Sequence, residues 1–118
     1  MQVRPLLIAT GLGALLQLAM VLWGHNDPAV AGLFAVGGMG LSLAAGLVYA
    51  VLARGGLGSG ALGGAIAGGA CGLIGIAVSL ALGDVEPMLL ALGTASSAVT
   101  GAAGGALGAV LARRQAKA

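Results

Sequence analysis

Apolar residues fill this chain in four long blocks, and charged residues interrupt them only at the joints. No Asp, Glu, Lys or Arg occurs from Pro5 to Asn26, from Pro28 to Ala53, from Gly55 to Gly83 or from Pro87 to Ala112. Each block exceeds the roughly 20 apolar residues that a helix needs to cross a bilayer core. The pattern predicts spanning helices over about 4–24, 28–53, 58–82 and 87–112, since a helix satisfies its own backbone hydrogen bonds in lipid. A β-barrel needs alternating polar positions and turn signals about every ten residues, and neither is present. The opening MQVRPLLIATGLGALLQLAM has a long apolar run and no small-x-small site before polar sequence. It is expected to be the first span rather than a cleaved leader.

Within the blocks, small residues recur at helical spacing. In the third, Gly56, Gly60, Gly64, Gly68 and Gly72 fall every four residues, beside a second row of Ser59, Gly63, Ala67, Cys71, Gly75 and Ser79. The second block carries Gly38, Ser42, Gly46 and Ala50, and the fourth carries Ser97, Gly101, Gly105 and Ala109. Such rows let helix backbones approach closely in lipid. They hold a bundle together, and the surplus on the third block offers a face for a second copy or a larger partner. Hydroxyls at 94, 96, 97 and 100 add interhelical hydrogen bonds, each worth about 0.6 kcal/mol on average. The first block is bulkier, with Met20, Trp23 and many leucines, and is expected to face lipid.

Shifting the chain by 59 residues, half of its 118, aligns Gly13 with Gly72, Gly24 with Gly83, Pro28 with Pro87, Ala44 with Ala103 and Gly46 with Gly105. It also lays Ala50-Val51-Leu52-Ala53-Arg54 on Ala109-Val110-Leu111-Ala112-Arg113. The expected fold is therefore an all-α membrane protein, one domain over 1–118, with four transmembrane helices in a compact glycine-rich bundle. It is built as two tandem parallel helical hairpins, 1–59 and 60–118, related by a pseudo-twofold axis along the membrane normal. The halves diverge where Gln17, Trp23, Phe34 and Tyr49 of the first face Ile76, Leu82, Gly93 and Gly108 of the second. The matching turns GHNDP and GDVEP are read as punctuation. Gly24 and Gly83 end the outgoing helices, and Asp27 and Glu86 with their prolines start the next.

Composition agrees with burial in lipid: 59% of residues are hydrophobic and 7% charged, against about a quarter charged in soluble domains. Mean hydropathy is +1.11. The net charge of +2 matters through its placement. With alternating spans, Arg4, Arg54, Arg113, Arg114 and Lys117 fall on one side, and His25, Asp27, Asp84 and Glu86 on the other. The positive-inside rule then puts both termini in the cytoplasm, and the expected location is a bacterial cytoplasmic (inner) membrane. Basic residues after a spanning helix are orientation signals, so no nucleic-acid partner is expected; membrane lipids are.

Reactive chemistry is sparse. The spans contain no ionisable Asp, Glu, Lys, Arg or His, which argues against a proton-coupled transporter, a proton-carrying rotor subunit and a voltage sensor. The glycine-rich Gly55–Gly60 lacks the Gly-Lys-Ser/Thr ending of a phosphate loop. Cys71 is alone and reads as a packing residue. No catalytic residue, metal site or cofactor is expected. His25 is the one candidate ligand for a metal, haem or pigment, and a solvated loop histidine explains it as well. Trp23 and Tyr49 read as an aromatic belt at opposite surfaces. Gln17, a large polar side chain within a span, must find a partner on another helix.

In number and length of spans the chain resembles dual-topology multidrug exporters and fluoride channels, but it has neither the membrane glutamate of the former nor the asparagine and phenylalanine constellation of the latter. That resemblance carries no residue across. The expected function is non-enzymatic: a small membrane protein acting by helix association, as a homo-oligomer or an accessory subunit. The alternative is a small oligomeric channel or carrier for a neutral or weakly polar solute, with Gln17, Ser42 and Thr94 in its lining.

Overall fold

A computed structural model describes residues 2–31 and 34–117, without the side chains of 30, 31, 34, 35 and 115–117. The side chains of Phe34 and Lys117, and residues 32 and 33 of the second expected span, lie outside that set. The described residues are helical and contain no strand: α1 (Val3–Asn26), α2 (Pro28–Ala31), α3 (Phe34–Ala53), α4 (Leu57–Ala81) and α5 (Pro87–Lys117). Four of these helices are long and apolar enough to cross a membrane. At about 1.5 Å per residue, the 31 residues of α5 match the long dimension of 47 Å.

Helices α3, α4 and α5 pack as a tight triplet, and α1 lies against α3 and α4 without comparable contact to α5 among the described residues. Glycine sets these distances. A β-carbon at Gly46 or at Gly64 would overlap the Gly101 carbonyl, and one at Gly105 would overlap the Gly60 carbonyl. Gly68 faces the Ser97 and Ser42 carbonyls, and Gly72 faces the Ser97 side chain. One row of α4 thus packs on α5. The other meets α1 and α3: Gly63 accommodates the Tyr49 ring, Cys71 meets Gly13, and Gly75 meets Gln17. The outer side of α1 carries exposed Leu7, Leu12, Leu15, Leu16 and Trp23, so its bulk does face outward.

Tyr49 departs from the aromatic-belt expectation. It is fully buried, whereas Trp23 is two-thirds exposed. The difference lies in the opposing helix: Gly63 leaves a slot that only a ring fills. The Tyr49 hydroxyl accepts a hydrogen bond from the Gln2 amide at 3.3 Å, and the Gln2 side chain donates to the Ala53 carbonyl at 2.6 Å. The start of α1 thereby satisfies a terminal carbonyl of α3, of the kind every helix end leaves open.

The two turns differ as well. Gly83 has a φ of 79°, and the amides of Gly83 and Asp84 bond to the carbonyls of Leu80 and Ser79. This is the double closure of a Schellman cap, with glycine in the left-handed position. Gly24 does not end its helix. It is buried inside α1, which runs on to Asn26. Asp27 then accepts a hydrogen bond from the Ala29 amide at 3.0 Å and caps α2.

Candidate functional site

The glycine contacts crowd the half of the bundle nearest Arg54 and Arg113. Gly101, Gly104, Gly105 and Gly108 on α5 meet Gly46, Gly60, Gly64 and the Leu43 and Leu47 backbone there. Towards the acidic turns α5 offers Gly93 among Leu89, Leu90 and Leu92, and the helices cannot close as tightly. A cleft of about 190 Å³ opens between α1, α3, α4 and α5, with Met20, Ile76 and Val85 on its walls and exposed Met39, Leu89 and Leu92 at its rim. The packed core cluster that includes Ala45, Tyr49, Ala67 and Cys71 takes no part in its lining.

Gln17 lines this cleft and is 3% exposed. Its Nε2 donates to the Gly38 carbonyl at 3.1 Å and approaches Ser42 Oγ at 3.5 Å and Cys71 Sγ at 3.9 Å. Ser42 Oγ in turn donates to the Gly68 carbonyl at 3.2 Å, and Cys71 Sγ donates to the same carbonyl at 3.3 Å. Three helices therefore meet in one small polar knot. Two of the three residues expected in a polar lining, Gln17 and Ser42, come together here. Thr94 does not join them: it is outside the cleft lining, and its Oγ1 is buried without a hydrogen-bond partner among the described residues. Sequence reading passed over Cys71 as simple packing, yet it belongs to this knot. Only its place beside Gly68, one turn away in the small-residue rows, hinted at that.

His25 lies apart from the cleft floor, at the acidic end. Its Nδ1 is 2.8 Å from Asp84 Oδ2, which ties the end of α1 to the turn after α4. Among the described residues no three His, Cys, Asp or Glu side chains cluster to hold a metal ion. At the opposite end Arg54 and Arg113, with Gly56, Ala109 and Ala112, line a second hollow of about 200 Å³.

Of the residues expected at a helix interface, Gly60, Gly63, Gly64, Gly68, Gly72, Gly75, Gly101 and Gly105 are all buried within the chain. Gly56 is exposed at the start of α4, where its φ of 96° sets the entry of the chain. Compared with known protein families, with curated proteins and with solved structures, the chain matches none.

Proposed function

We propose that the chain is a non-enzymatic integral membrane protein that works by association within the bilayer, as a homo-oligomer or as an accessory subunit. The observation that supports this is a row of small side chains left on the outside of α5. Ala91, Ala95 and Ala103, with Val99 between the last two, recur every four residues and are all exposed. In lipid, faces of this kind are where helices approach most closely. The glycine rows of α4 are occupied by α1, α3 and α5, so the partner meets α5 instead. Native mass spectrometry of the protein released from membranes reads this out: the wild type gives a defined oligomer, and Ala95→Leu or Ala103→Leu shifts it to monomer. A strictly monomeric wild type that copurifies with no other chain overturns the reading.

The tandem duplication is part of the proposal. Three pairs of positions 59 apart support it: His25 and Asp84 touch, Gly46 and Gly105 adjoin, and Arg54 and Arg113 share a hollow. The outward place of α1 departs from an exact twofold. The cations at one end and acids at the other support a location in a bacterial-type inner membrane with cytoplasmic termini.

A second reading, a carrier for a neutral or weakly polar solute, is favoured by the cleft and by Gln17 in its lining, held from behind by Ser42. Release of glycerol or urea from proteoliposomes that is lost in Gln17→Leu supports it, and no release of either weighs against it.

A further inference from the structure

The acceptor at the floor of the cleft is unused. Gly38 presents a carbonyl, which can only accept, so the nearer end of the Gln17 amide is its NH2 group. Ser42 has already given its proton to the Gly68 carbonyl and receives from Gln17. These two contacts fix the amide orientation and leave Oε1 accepting no hydrogen bond among the described residues. A β-carbon at Gly75 would lie 3.1 Å from Oε1, and one at Gly38 would lie 3.6 Å away. The oxygen therefore sits between two positions that carry no side chain, both of them on the cleft wall.

We infer that the cleft is a binding site for a small neutral, mostly apolar molecule bearing one hydroxyl group, such as a phenol or a short alcohol, with that hydroxyl donating to Gln17 Oε1. This deepens the second reading above but does not require transport. An acyl chain fills the same space and leaves a buried amide oxygen unpaired, which is unfavourable. Besides Gln17, the polar side chains of the lining are Ser79, Ser96 and Ser97, and the walls around Met20, Ile76 and Leu92 are apolar. No charged side chain lines the cleft, which selects neutral molecules. A cavity of about 150 Å³ holds benzene, and the 190 Å³ here leaves room for a ring with one substituent.

The test pairs phenol with anisole, which has the same ring and oxygen but no donor, on the full chain in detergent micelles. Binding is followed by NMR of side-chain amides, where the Gln17 signal is identified by its loss in Gln17→Leu. Phenol is expected to shift that signal saturably and to bind about tenfold more tightly than anisole once micelle partition is subtracted. Gly75→Ala, which keeps the Gln17 side chain but places a β-carbon 3.1 Å from Oε1, is expected to remove the preference and keep anisole binding. Gln17→Leu is expected to bind both molecules alike, with its backbone spectrum reporting that it is folded. Equal binding by the wild type, or an unmoved Gln17 signal, overturns the site. Binding without proteoliposome flux keeps the site and removes the carrier; flux without a preference for phenol does the reverse.

Discussion

His25 and Asp84 stand 59 residues apart in the chain and meet at 2.8 Å in the fold. That separation is also the offset between GHNDP and GDVEP, so two turns of like sequence hold each other. The pair ties α1, the least embedded helix, to the cap after α4, and Val85 beside it lines the cleft. Both side chains are open to solvent, at 41% and 24%, which limits the strength of the contact. A double-mutant cycle of His25→Ala and Asp84→Ala, read by thermal unfolding in detergent, should give a coupling below about 1 kcal/mol. It should shrink as salt is raised.

Glycines of one sequence type should divide into two classes. At Gly46 and Gly64 an added β-carbon overlaps a backbone carbonyl of α5, whereas at Gly11 and Gly40 it meets nothing within 4 Å. Gly46→Ala and Gly64→Ala should each destabilise the bundle by about 1–3 kcal/mol, as overpacking does. Gly11→Ala and Gly40→Ala should leave it unchanged or slightly firmer, since alanine is the better helix former. Unfolding midpoints of the four variants in one detergent separate the classes.

Cys71 is fully buried among Gln17, Ser42 and Gly68. A membrane-permeant maleimide should leave it unlabelled in the folded protein and label it fully after denaturation. In Gly64→Ala, where the α4–α5 contact is forced apart, labelling in the folded sample should speed up. Fast labelling of the wild type would contradict the packing around Gln17.

The four long helices were legible because charge-free length is a one-dimensional property, and the closeness of their packing was legible from glycine every fourth residue. Which helix fills which row was not. Gly64 and Gly63 are neighbours in sequence, yet one meets α5 and the other Tyr49. Gly24 and Gly83 align at the 59-residue offset but differ in place: Gly24 is buried inside α1, and Gly83 takes a left-handed turn after α4. The cleft was hidden for a related reason: it comes from a fall in glycine content along α5, from Gly101–Gly108 to Leu89–Leu92, acting on three neighbours at once. Gln17 was visible as a polar residue needing a partner. That its amide donates to Gly38 and leaves its oxygen free depends on register between α1 and α3, which no spacing along one helix reports.

Tyr49 and Gly63 offer the sharpest test of that register. The ring is fully buried and occupies the slot that Gly63 leaves, where a β-carbon would overlap the ring itself. Tyr49→Ala empties the slot and should cost about 3–5 kcal/mol, as loss of a large buried ring does. Tyr49→Phe keeps the ring and removes only the acceptor for the Gln2 amide, so its cost should stay near 1 kcal/mol. Gly63→Ala should be harmful beside Tyr49 and tolerated beside Tyr49→Leu, because the clash belongs to the pair. Residues in such contact couple by about 0.5–3 kcal/mol, well above the error of unfolding curves for four proteins in one detergent. Additive effects of Gly63→Ala and Tyr49→Leu would mean that the two do not touch, and that α3 and α4 meet in a different register.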